Sequence, residues 1–335
     1  MKLPLCPMTK TDSIYFSNAM KKFFNVILSD RTLPGFDGPN SVEREYLKRL
    51  DDCAWEGDAA DEPPDADLQY NAIYEEIESL VQALCQPMFR ERAPAVKDLC
   101  LRKDLHAYMN PEVFNFQLVT LCGEPKLIQC DNVEPPNFHP PFTNTAPISS
   151  DVPRFLSPSI EMIEKLERDW VLKVSVNGQV MCCKLTSRAT YEFLSREYSA
   201  LQQILDAGLI PPPRVPCLKG IVESKGGEIV GILIEYINKT FPNLADALSK
   251  DDIIIETSRR AKWATQVEDT LKQLHAIGVI WGDAKTSNIL IDEKDDAWIV
   301  DFGGGQTLGW VDDELVGSRD GDLQAMKKIL EALHV

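Results

Sequence analysis

Two aspartates and an asparagine near the C-terminal end have the types and order that chemistry would need. Asp283 opens an Asp-x-x-x-x-Asn run closed by Asn288, and Asp301 begins Asp-Phe-Gly further on. Between them, the apolar runs 289–291 and 298–300 flank a polar turn from Asp292 to Ala297, the pattern of a β-hairpin. A hairpin returns the chain to where it started, so it would gather two carboxylates and an amide around one small volume. An acidic surface hairpin would share the composition but has no need of this ordered spacing. Such a set suits phosphoryl transfer, with oxygen ligands for a hard divalent cation and one carboxylate left to orient a hydroxyl.

Other elements must position these groups. Trp170, Leu172, Val174 and Val176 alternate, and Asn177-Gly178 supplies the positive-φ pair of a type I′ hairpin. The returning strand, 180–185, places Val180, Cys182 and Lys184 on one face and Met181, Cys183 and Leu185 on the other. A lysine in so apolar a strand needs an anionic partner, unless the strand is an exposed edge. A helix follows with Leu194, Tyr198, Leu201 and Leu205 as its stripe. Glu197 projects beside that stripe, where a carboxylate is costly unless paired, so Lys184 is its natural partner.

These motifs resemble the protein-kinase-like fold. The resemblance places Asp283 at the catalytic aspartate, Asn288 and Asp301 at the metal ligands, and Lys285 where a lysine neutralises the transferring phosphoryl. Met181-Cys182-Cys183-Lys184 falls where Val-Ala-Ile-Lys usually falls. Lys184, tethered by Glu197, would hold the α- and β-phosphates, and Cys182 would line the adenine pocket. The run 229–237 would be the last small-lobe strand entering the hinge, where adenine meets the carbonyl of Glu235 and the amide of Ile237. Trp281-Gly282 replaces His-Arg before the catalytic aspartate, which is more similar to aminoglycoside phosphotransferases and RIO-type atypical kinases. Overall the chain is most similar to kinase-like proteins common in filamentous fungi. It implies ATP and Mg²⁺ (or Mn²⁺) as cofactors and a hydroxyl-bearing acceptor, with protein Ser/Thr slightly favoured over a small molecule because of Lys285.

Two departures bear on activity. No glycine-rich turn precedes Trp170; Glu167 and Asp169 stand there and would repel phosphate. That favours the alternative of a pseudokinase, a nucleotide-binding or protein-interaction scaffold. The path from Gly303 to the helix starting near Asp322 is short, and Asp322 would match an acidic residue that braces the catalytic loop. Thr307 and Ser318 are the only hydroxyls between Gly304 and Asp320, and both are expected to be dispensable.

The rest sets bounds. The 335 residues leave room for about two domains, with 44% hydrophobic content for their cores. A formal charge of −17 argues against a nucleic-acid partner. Nine cysteines without a C-x-x-C pair and only four histidines argue against structural zinc. No apolar run reaches membrane-spanning length, so the reading is a soluble intracellular protein, cytoplasmic or nuclear, with no membrane partner.

Phe16, Met20, Phe23 and Ile27 predict a helix over 12–29, Ser41 a cap for a helix to Leu50, and Tyr70, Ile73, Ile77, Leu80 and Leu84 a helix ending before Pro87. Residues 51–67 read as an acidic flexible loop, 116–121 and 126–130 as paired strands, and 131–158 as a proline-rich linker. His106 and His139 read as ordinary polar residues. A helix from 252 to 277 is expected to stop at Gly278 and lie beneath the catalytic loop. The expected fold is α+β: a mainly helical accessory region over 1–150, then a two-lobed kinase-like domain over 155–335. Its small antiparallel β lobe spans about 155–237 and its reduced helical lobe 238–335.

Overall fold

A computed structural model of the protein describes residues 11–17, 23–29, 41–53, 66–92, 104–130, 139–141, 149–167, 170–187, 190–249, 255–305 and 307–335. The chain divides into two compact units, residues 1–101 with 110–136, and residues 102–109 with 137–335.

In the first unit, β1 (Thr11–Ser17), β2 (Phe23–Ser29), α1 (Val42–Cys53), α2 (Ala66–Arg92), β3 (Val113–Leu121) and β4 (Glu124–Gln129) build a four-stranded sheet, in order β1-β2-β3-β4, with two helices. The stretch read as a helix over 12–29 forms β1 and β2 instead. Apolar residues spaced for a helical face also suit a strand when they are aromatic and β-branched. Parallel pairing with β3, from Phe23 opposite Val113 to Ile27 opposite Gln117, decides between the two.

Helix α1 lies where expected, but Ser41 does not cap it: the Val42 amide donates to Thr120 Oγ1 at 2.8 Å, and that hydroxyl donates to buried Glu43 at 2.7 Å. Helix α2 runs through Pro87 rather than ending before it. Pro87 sits on the exposed side, where the carbonyl it deprives of a bond can turn to water, while Ile73, Ile77, Val81 and Cys85 hold the buried side. Strands β3 and β4 meet at Cys122-Gly123, both with positive φ. Residues 51–53 of the acidic run end α1 and 66–67 begin α2; 54–65 lie outside the described residues.

The second unit begins with α3 (Leu105–Met109). Then come β5 (Arg154–Leu156), β6 (Ile160–Glu167), β7 (Val171–Val176), β8 (Gln179–Leu185), α4 (Tyr191–Ala207), β9 (Leu218–Glu223) and β10 (Ile229–Glu235). Their sheet has the order β5-β9-β10-β8-β7-β6. Strand β5 lies inside the stretch read as linker and pairs parallel with β9; 131–138 and 142–148 of that stretch lie outside the described residues. Asn177 and Gly178 make the expected turn, with φ of 50° and 81°. Period two then splits the sheet. Cys182, Ile221, Ile232 and Ile234 pack with Leu194, Tyr198 and Leu201 of α4. Met181, Cys183, Leu185, Leu172 and Val174 pack on the other face with Leu105 and Met109 of α3. Ile204, not Leu205, completes the α4 stripe.

The remainder is mostly helical: α5 (Leu244–Ser249), α6 (Thr257–Ala276), the hairpin β11 (Ile289–Ile291) and β12 (Ala297–Ile299), and α7 (Arg319–Leu333). Helix α6 buries Trp263, Val267, Leu271 and Leu274 and holds the hairpin by its turn. Arg259 pairs with Asp295 at 2.6 Å, Lys262 and the Trp263 indole donate to the Asp295 carbonyl, and Gln266 donates to Asp296 at 2.7 Å. The start of α7 needs a glycine, because a Cβ on Gly321 would collide with the Leu315 carbonyl, and Ser318 caps it by accepting from the Gly321 amide at 3.0 Å.

Gly231 ties this packing to the Lys184 strand: an added Cβ would lie 2.6 Å from the Lys184 carbonyl. Gly231→Ala is expected to lower stability by about 1–3 kcal/mol, as overpacking does, read from the midpoint shift in a urea titration.

Candidate active site

The site begins at Lys184. Its strand is central rather than an edge, and its ammonium is within 2.7 Å of both Glu197 oxygens and 3.3 Å from Asp301 Oδ1. The two side chains are 16% and 4% exposed, so this is a buried ion pair. Burial pulls the lysine down, but the charges of Glu197 and Asp301 outweigh it and hold Lys184 above its ordinary range. Burial pushes Glu197 up, with Lys184 and the backbone N–H of Phe302 acting against it. Helix α4 can come this close because Gly303 has no side chain; a Cβ there would be 3.0 Å from Phe193.

The second cluster is built on the loop between α6 and β11. Asp322, buried at the start of α7, accepts from the Trp281 amide at 2.8 Å and the Gly282 amide at 2.9 Å, and lies 2.8 Å from His275 Nε2. Asp322 therefore fixes the backbone just ahead of Asp283. Gly282 takes φ 81°, a conformation that costs glycine nothing, and the buried Trp281 donates its indole N–H to the Val300 carbonyl at 2.9 Å. Asp283 Oδ2 receives Lys285 Nζ at 2.6 Å and Asn288 Nδ2 at 3.0 Å. Its Oδ1 receives the Thr307 hydroxyl at 3.0 Å, and Lys285 also donates to Thr307 at 2.8 Å.

Between the clusters lies a cleft of about 560 Å³. Lys184, Glu197, Cys182, Glu235, Ile237, Lys285, Asn288 and Asp301 all line it, with Leu166, Trp170 and Val171 of the β6–β7 hairpin. Asp283 borders it through its bonds to Lys285 and Asn288. Asp301 is half-exposed and held at φ 67°, unusual for a residue with a side chain. With Nδ2 of Asn288 committed to Asp283, its amide oxygen is the atom left for a ligand. No cluster of three or more His, Cys, Asp or Glu side chains able to hold a metal occurs among the described residues. A carboxylate and an amide oxygen on one cleft nonetheless fit Mg²⁺, which takes one or two protein oxygens and completes its shell with water and phosphate.

Sequence reading missed several residues here. Thr307, expected to be dispensable, bridges Asp283 and Lys285, a role with no signature along the chain, and Ser318 is a helix cap, a role that a serine just ahead of the α7 pattern does signal. His275 is buried against Asp322, and Lys239, Asn243 and Ser287 line the cleft beyond the hinge. His139 lies 2.6 Å from the Thr186 carbonyl.

A sheet antiparallel except at β5, with one helix crossing it, a cleft, and a mainly helical base carrying the hairpin define a kinase-like α+β fold. Residues 176–319 match the protein kinase domain family. Mitogen-activated protein kinase kinase kinase 17 of Arabidopsis thaliana is 30% identical over 130 residues, 38% of this chain and 33% of that protein. A probable serine/threonine-protein kinase of Dictyostelium discoideum is 30% identical over 137 residues, 38% of this chain and 8% of that protein. The chain thus spans a third or less of these curated relatives. Among solved structures, the kinase PK-1 of Cydia pomonella granulovirus aligns with a TM-score of 0.43 at 18% identity, over 52% of this chain and 70% of that one.

The buried pair makes its own test. Glu197→Ala strands an ammonium and is expected to cost about 3–5 kcal/mol, whereas Lys184→Met with Glu197→Leu should recover much of that loss. Chemical denaturation of the three proteins decides it; equal losses in single and double variants would contradict a pair of this kind.

Proposed function

We propose that residues 155–335 form an ATP- and Mg²⁺-dependent phosphotransferase that moves the γ-phosphoryl group to a hydroxyl, with a protein Ser/Thr acceptor favoured over a small molecule. The observation that carries this reading is the single cleft lined by Lys184–Glu197 and Asp301 on one side and by Lys285 and Asn288, bonded to Asp283, on the other. Lys184, held in place by Glu197, binds the α- and β-phosphates. Adenine sits against Cys182 and the hinge, bonding the Glu235 carbonyl and the Ile237 amide. Asn288 and Asp301 would hold the metal, which when bound neutralises phosphate charge. Asp283 orients the acceptor hydroxyl and takes its proton. Lys285 places a cation beside the transferring group, and Thr307 keeps Asp283 and Lys285 in one arrangement.

The similarity to a mitogen-activated protein kinase kinase kinase and to a probable serine/threonine-protein kinase, together with Lys285, supports a protein acceptor. Trp281-Gly282 before Asp283 supports an affinity with phosphotransferases of the aminoglycoside and RIO types and with kinase-like proteins of filamentous fungi. The charge of −17 weighs against a nucleic-acid partner, and a cytoplasmic or nuclear site of action belongs to the same proposal. One observation favours a pseudokinase as second reading: no glycine occurs from 160 to 176, and the sequence there carries Glu167 and Asp169, whose charge would oppose phosphate.

ATP should raise the melting temperature only with Mg²⁺ or Mn²⁺ present; no metal-dependent shift at millimolar ATP would sink the nucleotide reading. Asp283→Asn is expected to abolish transfer and keep that shift, while Asp301→Asn should weaken both. Thr307→Ala should lower turnover by on the order of tenfold or more with the shift preserved, and Thr307→Ser should restore it. Binding that persists in a wild type without turnover would establish the second reading.

A further inference from the structure

Helix α3 is eight residues of chain, with its flanks, that leave the first unit at 102 and return to it at 110. It lies outside the stretch that matches the kinase family, yet it is built into the small lobe. Leu105 and Met109 are buried in the outer core of the sheet with Ile160 and Leu172. Asp104 makes an isolated antiparallel bridge to Glu161 and caps α3, its carboxylate accepting from the Ala107 amide at 2.8 Å. Lys165 lies over the Tyr108 ring, 5.9 Å from its centroid. The bridge to Glu161, the Lys165 contact and the packing on Ile160 reach one strand, β6, which is the edge of the sheet and is interrupted by two register shifts, between Met162 and Glu164 and between Lys165 and Glu167. An edge strand with two bulges has a weak hold on its own position. Leu166, next to Lys165, and Trp170 and Val171 beyond the turn roof the nucleotide cleft.

We propose that Asp104 and Tyr108 are positioning residues: through α3 they clamp β6 from outside and set Leu166, Trp170 and Val171 over the cleft, so that nucleotide affinity depends on a segment continuous on both sides with the first unit. This builds on the nucleotide reading, and it supplies that unit with a covalent route to the cleft. In a hairpin without glycine, the roof cannot settle onto phosphates through flexible backbone, and an external clamp takes over that task.

The test uses the full chain with Asp104→Ala, Tyr108→Ala and Tyr108→Phe, and Leu333→Ala as a comparator destabilised far from the hairpin. Mg²⁺-ATP affinity is measured by titration, ATP turnover by steady-state assay, and backbone hydrogen exchange by mass spectrometry. Asp104→Ala and Tyr108→Ala are expected to weaken ATP binding by on the order of tenfold while turnover at saturation stays within about twofold. Exchange should quicken at 160–176 and stay unchanged at 289–299. Tyr108→Phe, which keeps the ring, should match wild type, and Leu333→Ala should keep its affinity. Unchanged affinity and exchange in both alanine variants would overturn the proposal, as would an equal affinity loss in Leu333→Ala. If the wild type binds no nucleotide, the phosphotransferase reading falls, and exchange at 160–176 still decides the clamp: faster upholds it, unchanged overturns it.

Discussion

The second unit depends on keeping one ammonium and one carboxylate out of water and together. Lys184 and Glu197 belong to different elements, and neither is tolerable in its place without the other. Their union dictates where α4 crosses the sheet, and the apolar contacts of Leu194, Tyr198 and Leu201 then stabilise a crossing that charge has already selected. Nearby positions must be small for the same reason. Gly231 lets β10 close on the Lys184 carbonyl, and Gly303 lets α4 approach the turn after Asp301. A buried pair of this kind contributes little net stability, but it excludes alternative packings, because any other arrangement strands a charge.

A second constraint works from below. The loop that carries Asp283 has little regular structure of its own, so its backbone is held by side chains from elsewhere. Asp322 takes two consecutive amides, and α6 grips the hairpin turn through Arg259, Lys262, Trp263 and Gln266. Asp283 is thus presented from a backbone held on two sides, and the donors around it, the Lys285 ammonium and the neutral Asn288 amide, are oriented by bonds to it. Preorganised charge of this sort is what phosphoryl transfer asks of a protein, since the reaction needs placement and neutralisation more than covalent chemistry.

Charge also shapes the upper side of the cleft. The 160–176 stretch has no glycine, so under the proposed phosphotransferase reading favourable contacts to phosphate would fall mainly on Lys184 and on a cation held by Asn288 and Asp301. The hairpin then works chiefly by its apolar roof, Leu166, Trp170 and Val171. A roof acts through its height and angle, which packing behind the sheet controls.

What the sequence determined by itself was a set of polar residues and their local frames. Asp283, Asn288, Asp301 and Lys184 were legible because their spacing is set by short-range geometry: a hairpin, a two-residue turn, a strand of period two. Glu197 was legible because a carboxylate beside an apolar stripe demands a partner. The tertiary structure alone decided the rest. Phe23 and Ile27 became strand because β3 offered them hydrogen bonds across the chain, and α2 passed through Pro87 because the packing on its other side outweighed one lost bond. Thr307 joined Asp283, and residues 104–109 joined the small lobe, through contacts between positions far apart in the chain. Local pattern reports what each segment needs to bury or bond, and several partners can satisfy the same need. Only the folded chain selects among them, because it alone sets which segments meet.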